Sequence, residues 1–386
     1  MTIPYWRLSG YYFFYFATLG VLSPYWSLYL KEVGCNTAQI GELFALMAGT
    51  KIISPNLWGW IADHTQKSMP IIRITSLIST VLFAGFLYVD RYFGFALITI
   101  SFSFFWNAAL PQFEAVTLFH LREKPHHYSQ IRLWGSIGFI VAVLGIGILL
   151  DSLPLILLPI AITTLLGLGA LVSLLIPEAH PNEHTKTSLS LLEIIKKPEV
   201  IAFFVAGTLL QFAHTPYYVF YSIYLKQLHY SATLTGSLWA LGIIAEVLLF
   251  LLMQKVLRRF SLRRIFLCSI FLAIIRWLLI AKYADNLPVL IAAQVLHAAT
   301  FGSTHVAAIH LVHRYFGRIH QGKGQALYGS LCYGLGGMLG GIYSGYFWET
   351  AGSELVFTLA AMACGVALII AVIWIGKTPR VQAALG

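Results

Sequence analysis

Apolar segments about as long as a bilayer is thick recur along this whole chain, and no other feature restricts its fold so strongly. A helix needs about 20 apolar residues to cross the hydrocarbon core, where every backbone N–H and C=O must be satisfied within the segment. Twelve such blocks can be read, at 5–30, 38–61, 69–89, 92–120, 130–150, 154–176, 199–226, 232–255, 263–282, 287–312, 323–348 and 354–376. Charge or Gly, Pro and Asn punctuation bounds each one. Only 10% of the residues are charged, against roughly 25% in ordinary soluble domains. The chain reads as an all-α membrane protein. Its first block is too long for a cleavable signal, and no small-residue cleavage site follows it.

The charges orient the helices. A net charge of +10 would suit nucleic acid only if the bases shared a polar face, and they fall between apolar blocks instead. No nucleic-acid partner is expected. With the N-terminus cytoplasmic, 19 Lys and Arg residues lie on the cytoplasmic side and four lie outside (Lys31, Arg91, Lys226, Lys282). That bias predicts cytoplasmic N- and C-termini. Lys51 and Arg276 remain inside the membrane. Cys35, Cys268, Cys332 and Cys364 show neither CxxC spacing nor a disulfide framework.

The chain also repeats itself. WSLYLK at Trp26–Lys31 matches YSIYLK at Tyr221–Lys226, and GELFALMAGTK at Gly41–Lys51 matches GSLWALGIIAE at Gly236–Glu246, both 195 residues apart. IRLWGSI at Ile131–Ile137 matches QALYGSL at Gln325–Leu331, 194 apart. Three matches in one register predict two six-helix, pseudo-symmetric halves: residues 1–176, a cytoplasmic linker at 177–198, and residues 199–386. Parallel repeats of this kind build transporters whose substrate site lies between the halves near the midplane.

This architecture resembles the major facilitator superfamily. GWIADHTQK at Gly59–Lys67 resembles that family's signature between helices two and three: Gly59, Asp63 and Lys67 fit, His64 stands where a base is usual, and Gln66 replaces a second Gly. Such a gating loop would use Gly59 for close helix approach and Asp63 to cap a neighbouring helix N-terminus; an ordinary polar turn is the plainer reading. In the second half YSATLTGSLWALGIIAEVLLF, RRFSLRR, IIRWLLIA and QVLHAATF resemble the phenylpropionate permease family, as do RLWGSIGF and LPQFEA in the first. That resemblance implies proton-coupled symport of a small aromatic carboxylate such as 3-phenylpropionate across a bacterial inner membrane. A more distant similarity to lactose permease puts Arg132, Arg276 and His297 at positions matching its functional Arg and His residues. Thr300 stands where that permease has a Glu, and Ala213, His214 and Tyr217 occupy the region of its helix-seven acids, so sugar specificity is not implied.

The residues themselves point the same way. An acid at membrane depth costs roughly 2.5–3.5 kcal/mol on insertion scales, so Glu246 marks a functional site by default. Glu246, Arg276 and His297 fall in the middle of helices eight, nine and ten. Glu246 is expected as proton carrier, Arg276 as its counter-charge and His297 as relay; a static buried pair that fixes packing is the rival. Lys51, the repeat partner of Glu246, is expected to pair with it or to bind a substrate carboxylate. Glu114 is expected to pair with Arg132, or Arg132 to meet an anionic substrate. His214, Tyr218 and Tyr15, with Tyr11, Tyr25, Trp26, Tyr217 and Tyr221, are expected to form an aromatic wall for a phenyl ring. His305 and His310, five residues apart, lie off one helix face, so no metal is expected; no cofactor is expected either.

The expected function is therefore secondary transport by alternating access, not enzymatic catalysis. The partners are a small-molecule substrate, protons and the lipid bilayer, and the chain is read as a monomer. Export of amphipathic compounds, uptake of a sugar or nucleoside, a membrane-embedded enzyme and a sensor are the alternatives.

Overall fold

A helix that must satisfy its own backbone leaves its ends as the only orphaned groups, and in this chain several of those ends are met by side chains. The computed structural model describes residues 3–121, 124, 127–178 and 191–376. Among them every regular element is helical. The first six are α1 (Tyr5–Glu32), α2 (Thr37–Thr65), α3 (Ser68–Ala84), α4 (Tyr92–His120), α5 (His127–Leu150) and α6 (Leu157–Leu174). Most of the expected linker lies outside the described residues; within it a short α7 spans Leu191–Ile195. Then come α8 (Pro198–Gln227), α9 (Ala232–Arg259), α10 (Leu262–Tyr283), α11 (Leu287–His297), α12 (Ser303–Tyr328) and α13 (Gly337–Trp374).

Asn36 opens α2 with a reciprocal cap: its side chain accepts from the Gln39 N–H at 2.9 Å, and Gln39 accepts from the Asn36 N–H at 3.0 Å. Cations meet carbonyls at the opposite kind of end. Arg7 and Arg73 donate to the Leu175 and Ile176 carbonyls beyond α6, at 2.9 and 2.7 Å. Arg263 at the start of α10 does the same for the Val372 carbonyl in the last turn of α13, at 2.7 Å.

Two π-helical segments, Ala298–Gly302 and Gly329–Gly336, join α11 to α12 and α12 to α13. Such segments shift helix register and are frequent at functional sites. The long runs are interrupted at two glycines. Gly317 has φ 62° and Gly352 has φ 83°, backbone that side-chain-bearing residues rarely adopt. Nine segments of the described residues are long and apolar enough to cross a membrane, the last running 56 residues from Ile319 to Trp374 through the break at Gly352. Tyrosines, serines and charged residues dilute α1 and α2, which are not among the nine.

Helices α1 to α6 meet α8 to α13 along two seams. On the first, α2 lies on α13 with only glycine between them: a Cβ on Gly41 would fall 2.7 Å from the Gly345 Cα, and one on Gly345 2.8 Å from the Gly41 Cα. On the second, α5 lies on α9. Tyr25 of α1 reaches into it, donating to the Val143 carbonyl at 2.8 Å, and a Cβ on Gly147 would fall 2.6 Å from its hydroxyl. Polar contacts tie the same end of the bundle. Lys31 pairs with Glu349 at 2.7 Å, and Tyr346 donates to Glu42 at 2.6 Å. Just beyond α5, Asp151 takes the Ala232 N–H at 2.8 Å and the Thr233 hydroxyl at 2.5 Å, so a carboxylate from one set of helices sits on the N-terminus of a helix from the other. The Thr233 hydroxyl, then the two backbone N–H groups, hold the Asp151 carboxyl below its usual range.

Candidate functional site

Polar residues in the middle of apolar helices are costly unless they find one another, and α8, α9, α10 and α11 bring several together. His297 Nε2 lies 3.6 Å from Glu246 Oε2, both side chains largely buried. A glycine eases this approach: a Cβ on Gly302 would fall 3.0 Å from the Glu246 Cγ.

Arg276 does not take the expected place beside Glu246. Its guanidinium, wholly buried, donates from Nε to the Ala293 carbonyl at 2.9 Å and from Nη1 to the Thr300 hydroxyl at 3.4 Å. It also lies over the rings of Tyr217 and Trp277, 4.4 and 4.5 Å from their centroids. The carbonyl, the hydroxyl and the aromatic faces meet the cation only in part. Gln294 clamps the tyrosines beside it, accepting from Tyr217 at 2.9 Å and donating to Tyr221 at 2.7 Å.

His214 is fully buried between α8 and α10. Its Nδ1 faces the Leu210 carbonyl at 2.8 Å, and its ring meets Trp277 edge-on at 4.8 Å. It is thus a packed histidine, unlike the expected wall residue. Tyr218 lies within 6.5 Å of the rings of His214, Trp239 and Phe301. Among the described residues Arg276 Nη2, His214 Nε2 and His297 Nδ1 are buried without a hydrogen-bond partner. A buried donor left unmatched costs about 1–3 kcal/mol, so this cluster carries unspent hydrogen-bonding capacity.

Helices α1, α2, α4 and α5 supply the other side. Lys51 makes no ion pair or hydrogen bond with the described residues, and its expected pairing with Glu246 is not formed. Its neighbour Thr50 is tied into α4 instead, accepting from Asn107 at 2.8 Å and donating to Ser103 at 3.0 Å. Arg132 rests on the Phe16 ring, 3.9 Å from its centroid. It is no ion-pair partner of Glu114, yet Glu114, Glu246 and His305 all lie within its electrostatic reach.

The expected aromatic wall divides. Tyr15 stacks on Trp106 at 5.1 Å. Tyr11 bonds Ser76, Tyr25 is spent on the α5–α9 seam, and Trp26 packs on Tyr29, Phe83 and Phe86. Those three hydrophobic anchors belong to helix packing. The expected gating-loop glycine, Gly59, lies within α2 rather than in a loop, and a Cβ on it would meet the Gln112 amide at an ordinary 3.5 Å, so no tight helix approach depends on it. Asp63 lies in the last turn of α2, where the Gln66 amide donates to its carbonyl at 2.7 Å. Lys67 precedes α3, whose first turn is met by Glu178: the Met69 N–H donates to it at 3.2 Å.

Two participants were not singled out from the sequence. Phe301 lies between His297 and His305 with all three rings close to parallel, 5.3 and 6.3 Å apart, and Tyr333 meets His305 Nδ1 at 3.1 Å. The spacing of His297, Phe301 and His305, four residues each, was the available signal. Tyr333 had none, because a π segment sets its direction.

Comparison with known proteins gives a consistent picture. The model of a family described as "MFS_1 like family" matches residues 5–359. The chain is 29% identical over 374 residues to a "Probable 3-phenylpropionic acid transporter" of Escherichia coli (strain K12), covering 93% of this chain and 94% of that protein. It is 26% identical over 369 residues to a maltose permease of Geobacillus stearothermophilus, covering 91% and 90%. In three dimensions it is similar to a crystal structure of the nucleoside transporter NupG, with a TM-score of 0.83, 18% identity, and coverage of 97% of this chain and 99% of that one.

Proposed function

This chain belongs to the MFS_1 like family and is a multi-pass membrane transporter; from that premise we propose that it carries out proton-coupled symport of a small aromatic carboxylate such as 3-phenylpropionate, by alternating access. In this reading it has twelve membrane helices: the nine apolar segments, one of them divided at Gly352, plus α1 and α2. Residues 1–176 and 199–386 are the moving halves, and both termini face the cytoplasm of a bacterial cell whose inner membrane holds the protein. The end tied by Asp151, Lys31 and Glu42 is then the outer one, closed in this structure.

One observation carries the mechanism: Glu246, midway along an apolar helix, has His297 Nε2 3.6 Å from its carboxyl, both side chains largely buried. A proton on Glu246 leaves Arg132 free to hold a substrate carboxylate. Loss of that proton gives Arg132 an internal anion, so substrate and proton bind and leave together. Lys51 supplies a second cation to the substrate's acid group, while Tyr218 and Phe301 offer ring faces for its aryl part. Glu114 balances Arg132 between cycles. His214 and Tyr15 enter this scheme only by packing behind the site.

Competition tests the substrate class. Labelled 3-phenylpropionate taken up into vesicles containing the protein should be displaced by unlabelled aromatic acids and not by maltose or nucleosides. Displacement by either of the latter at equal concentration would overturn the assignment.

A further inference from the structure

The end of α9 away from Asp151 carries a strip that the transport cycle does not use. Leu248, Leu251 and Leu252 are 57, 74 and 51% exposed. Residues 248, 252, 255 and 259 share one helical stripe, spaced by four, three and four. The stripe therefore runs from these leucines straight into Lys255 and Arg259. The distance from residue 248 to 259 is about 16 Å at 1.5 Å per residue, close to half of a hydrocarbon core about 30 Å thick. That is the length of one leaflet.

At its end the turn reads LRRFSLRR, Leu257–Arg264. Lys255, Arg258, Arg259 and Arg264 are exposed, and none forms an ion pair with the described residues. Arg263 is already committed to the Val372 carbonyl. Phe260, 44% exposed, projects among these cations, with the Arg259 guanidinium 5.9 Å from its ring. An aromatic ring at the level where apolar helix gives way to charge is the usual interfacial anchor. Orientation of the chain in the membrane requires only net positive charge, which lysines anywhere in the turn would supply. The equivalent turn between α2 and α3 holds Asp63, His64 and Lys67, so the concentration of arginine is peculiar to this one.

We propose that the α9–α10 turn and the leucine strip leading to it bind an anionic phospholipid of the adjacent leaflet. Arg258, Arg259 and Arg264 take the headgroup phosphate, for which the guanidinium fork is suited. Leu248, Leu251 and Leu252 take an acyl chain. Polybasic segments next to a membrane helix gain roughly 1 kcal/mol, about fivefold, per cation near an anionic surface.

The test uses the full chain in vesicles of phosphatidylcholine, alone or with phosphatidylglycerol, and reads the unfolding midpoint and the lipid retained in native mass spectra. Phosphatidylglycerol should raise the midpoint and be retained over phosphatidylcholine. The triple variant Arg258→Gln, Arg259→Gln, Arg264→Gln should lose that preference by on the order of tenfold or more. The corresponding triple Lys variant should keep the charge attraction but lose part of the retention. Should the Gln variant fail to fold, high salt on the unaltered protein must abolish the preference. Equal retention of the two lipids, or a preference untouched by the Gln substitutions and by salt, overturns the proposal. Stabilisation by inorganic phosphate alone, without lipid selectivity, would identify a free-anion site and overturn it too. An acidic peptide that displaces the lipid in proportion to its charge would support the headgroup assignment.

Discussion

Lys51 is the most exposed test of the substrate reading at the scale of single residues. It is a cation midway along a membrane helix, with no carboxylate beside it among the described residues. Such a cation is retained where a substrate supplies the missing anion. Lys51→Ala should therefore raise KM for a carboxylate substrate about tenfold, equivalent to about 1.4 kcal/mol, and leave its neutral amide analogue nearly unaffected. Uptake assays with both compounds check this, and equal losses would make Lys51 a packing residue. The identities of Glu246, His297, Lys51 and Arg132 were legible in the sequence because a charge inside an apolar block stands out. The proximity of Glu246 and His297 was expected and is found; the partners expected for Lys51, Arg132 and Arg276 are not. Arg276 lies in the expected region but turns its guanidinium to the Ala293 carbonyl and the Tyr217 ring, and rotation about a helix axis leaves no trace in composition or spacing.

Among the elements, the α2–α13 seam depends on the absence of side chains. Gly345→Leu would force backbone apart where a Cβ already falls 2.8 Å from the Thr37 carbonyl oxygen. Overpacking of this kind costs typically 1–3 kcal/mol. The variant should unfold at lower temperature and should cross-link poorly between cysteines placed at 38 and 346; an unchanged midpoint with full cross-linking would contradict the seam. The helix boundaries that end in Gly, Pro or charge were visible beforehand. The expected gap between 312 and 323 contains the break at Gly317, and the gap between 348 and 354 contains Gly352. The two π segments were invisible, since one extra residue in a turn leaves the apolar pattern of its neighbours intact. They are what aims Phe301 and Tyr333 at His305.

For the whole molecule, alternating access as proposed makes the tied end of the bundle one limb of a two-state cycle and Asp151 a latch on it. Its folded carboxyl titrates below the ordinary value of 3.8. The closing contact is thus fully present above that value and is lost as pH falls through the lowered one. Asp151→Asn should mimic acid: a cysteine at Leu234, beside the latch but not part of it, should become more reactive to a water-soluble maleimide at neutral pH, and unaltered labelling would show that the latch carries no weight. The repeat at 195 residues is what suggests the proposed division into two halves, whereas the contact of Asp151 with Thr233, built from side chains 82 residues apart, left no signal in the sequence. The central claim is that this architecture couples a proton on Glu246 to carboxylate movement. Accumulation of labelled 3-phenylpropionate in energised vesicles, with and without a protonophore and alongside Glu246→Gln, tests it most directly. The account predicts accumulation that the protonophore collapses to the equilibrium level and that Glu246→Gln lacks, with substrate exchange preserved in the variant. Accumulation that survives either the protonophore or the substitution would contradict it.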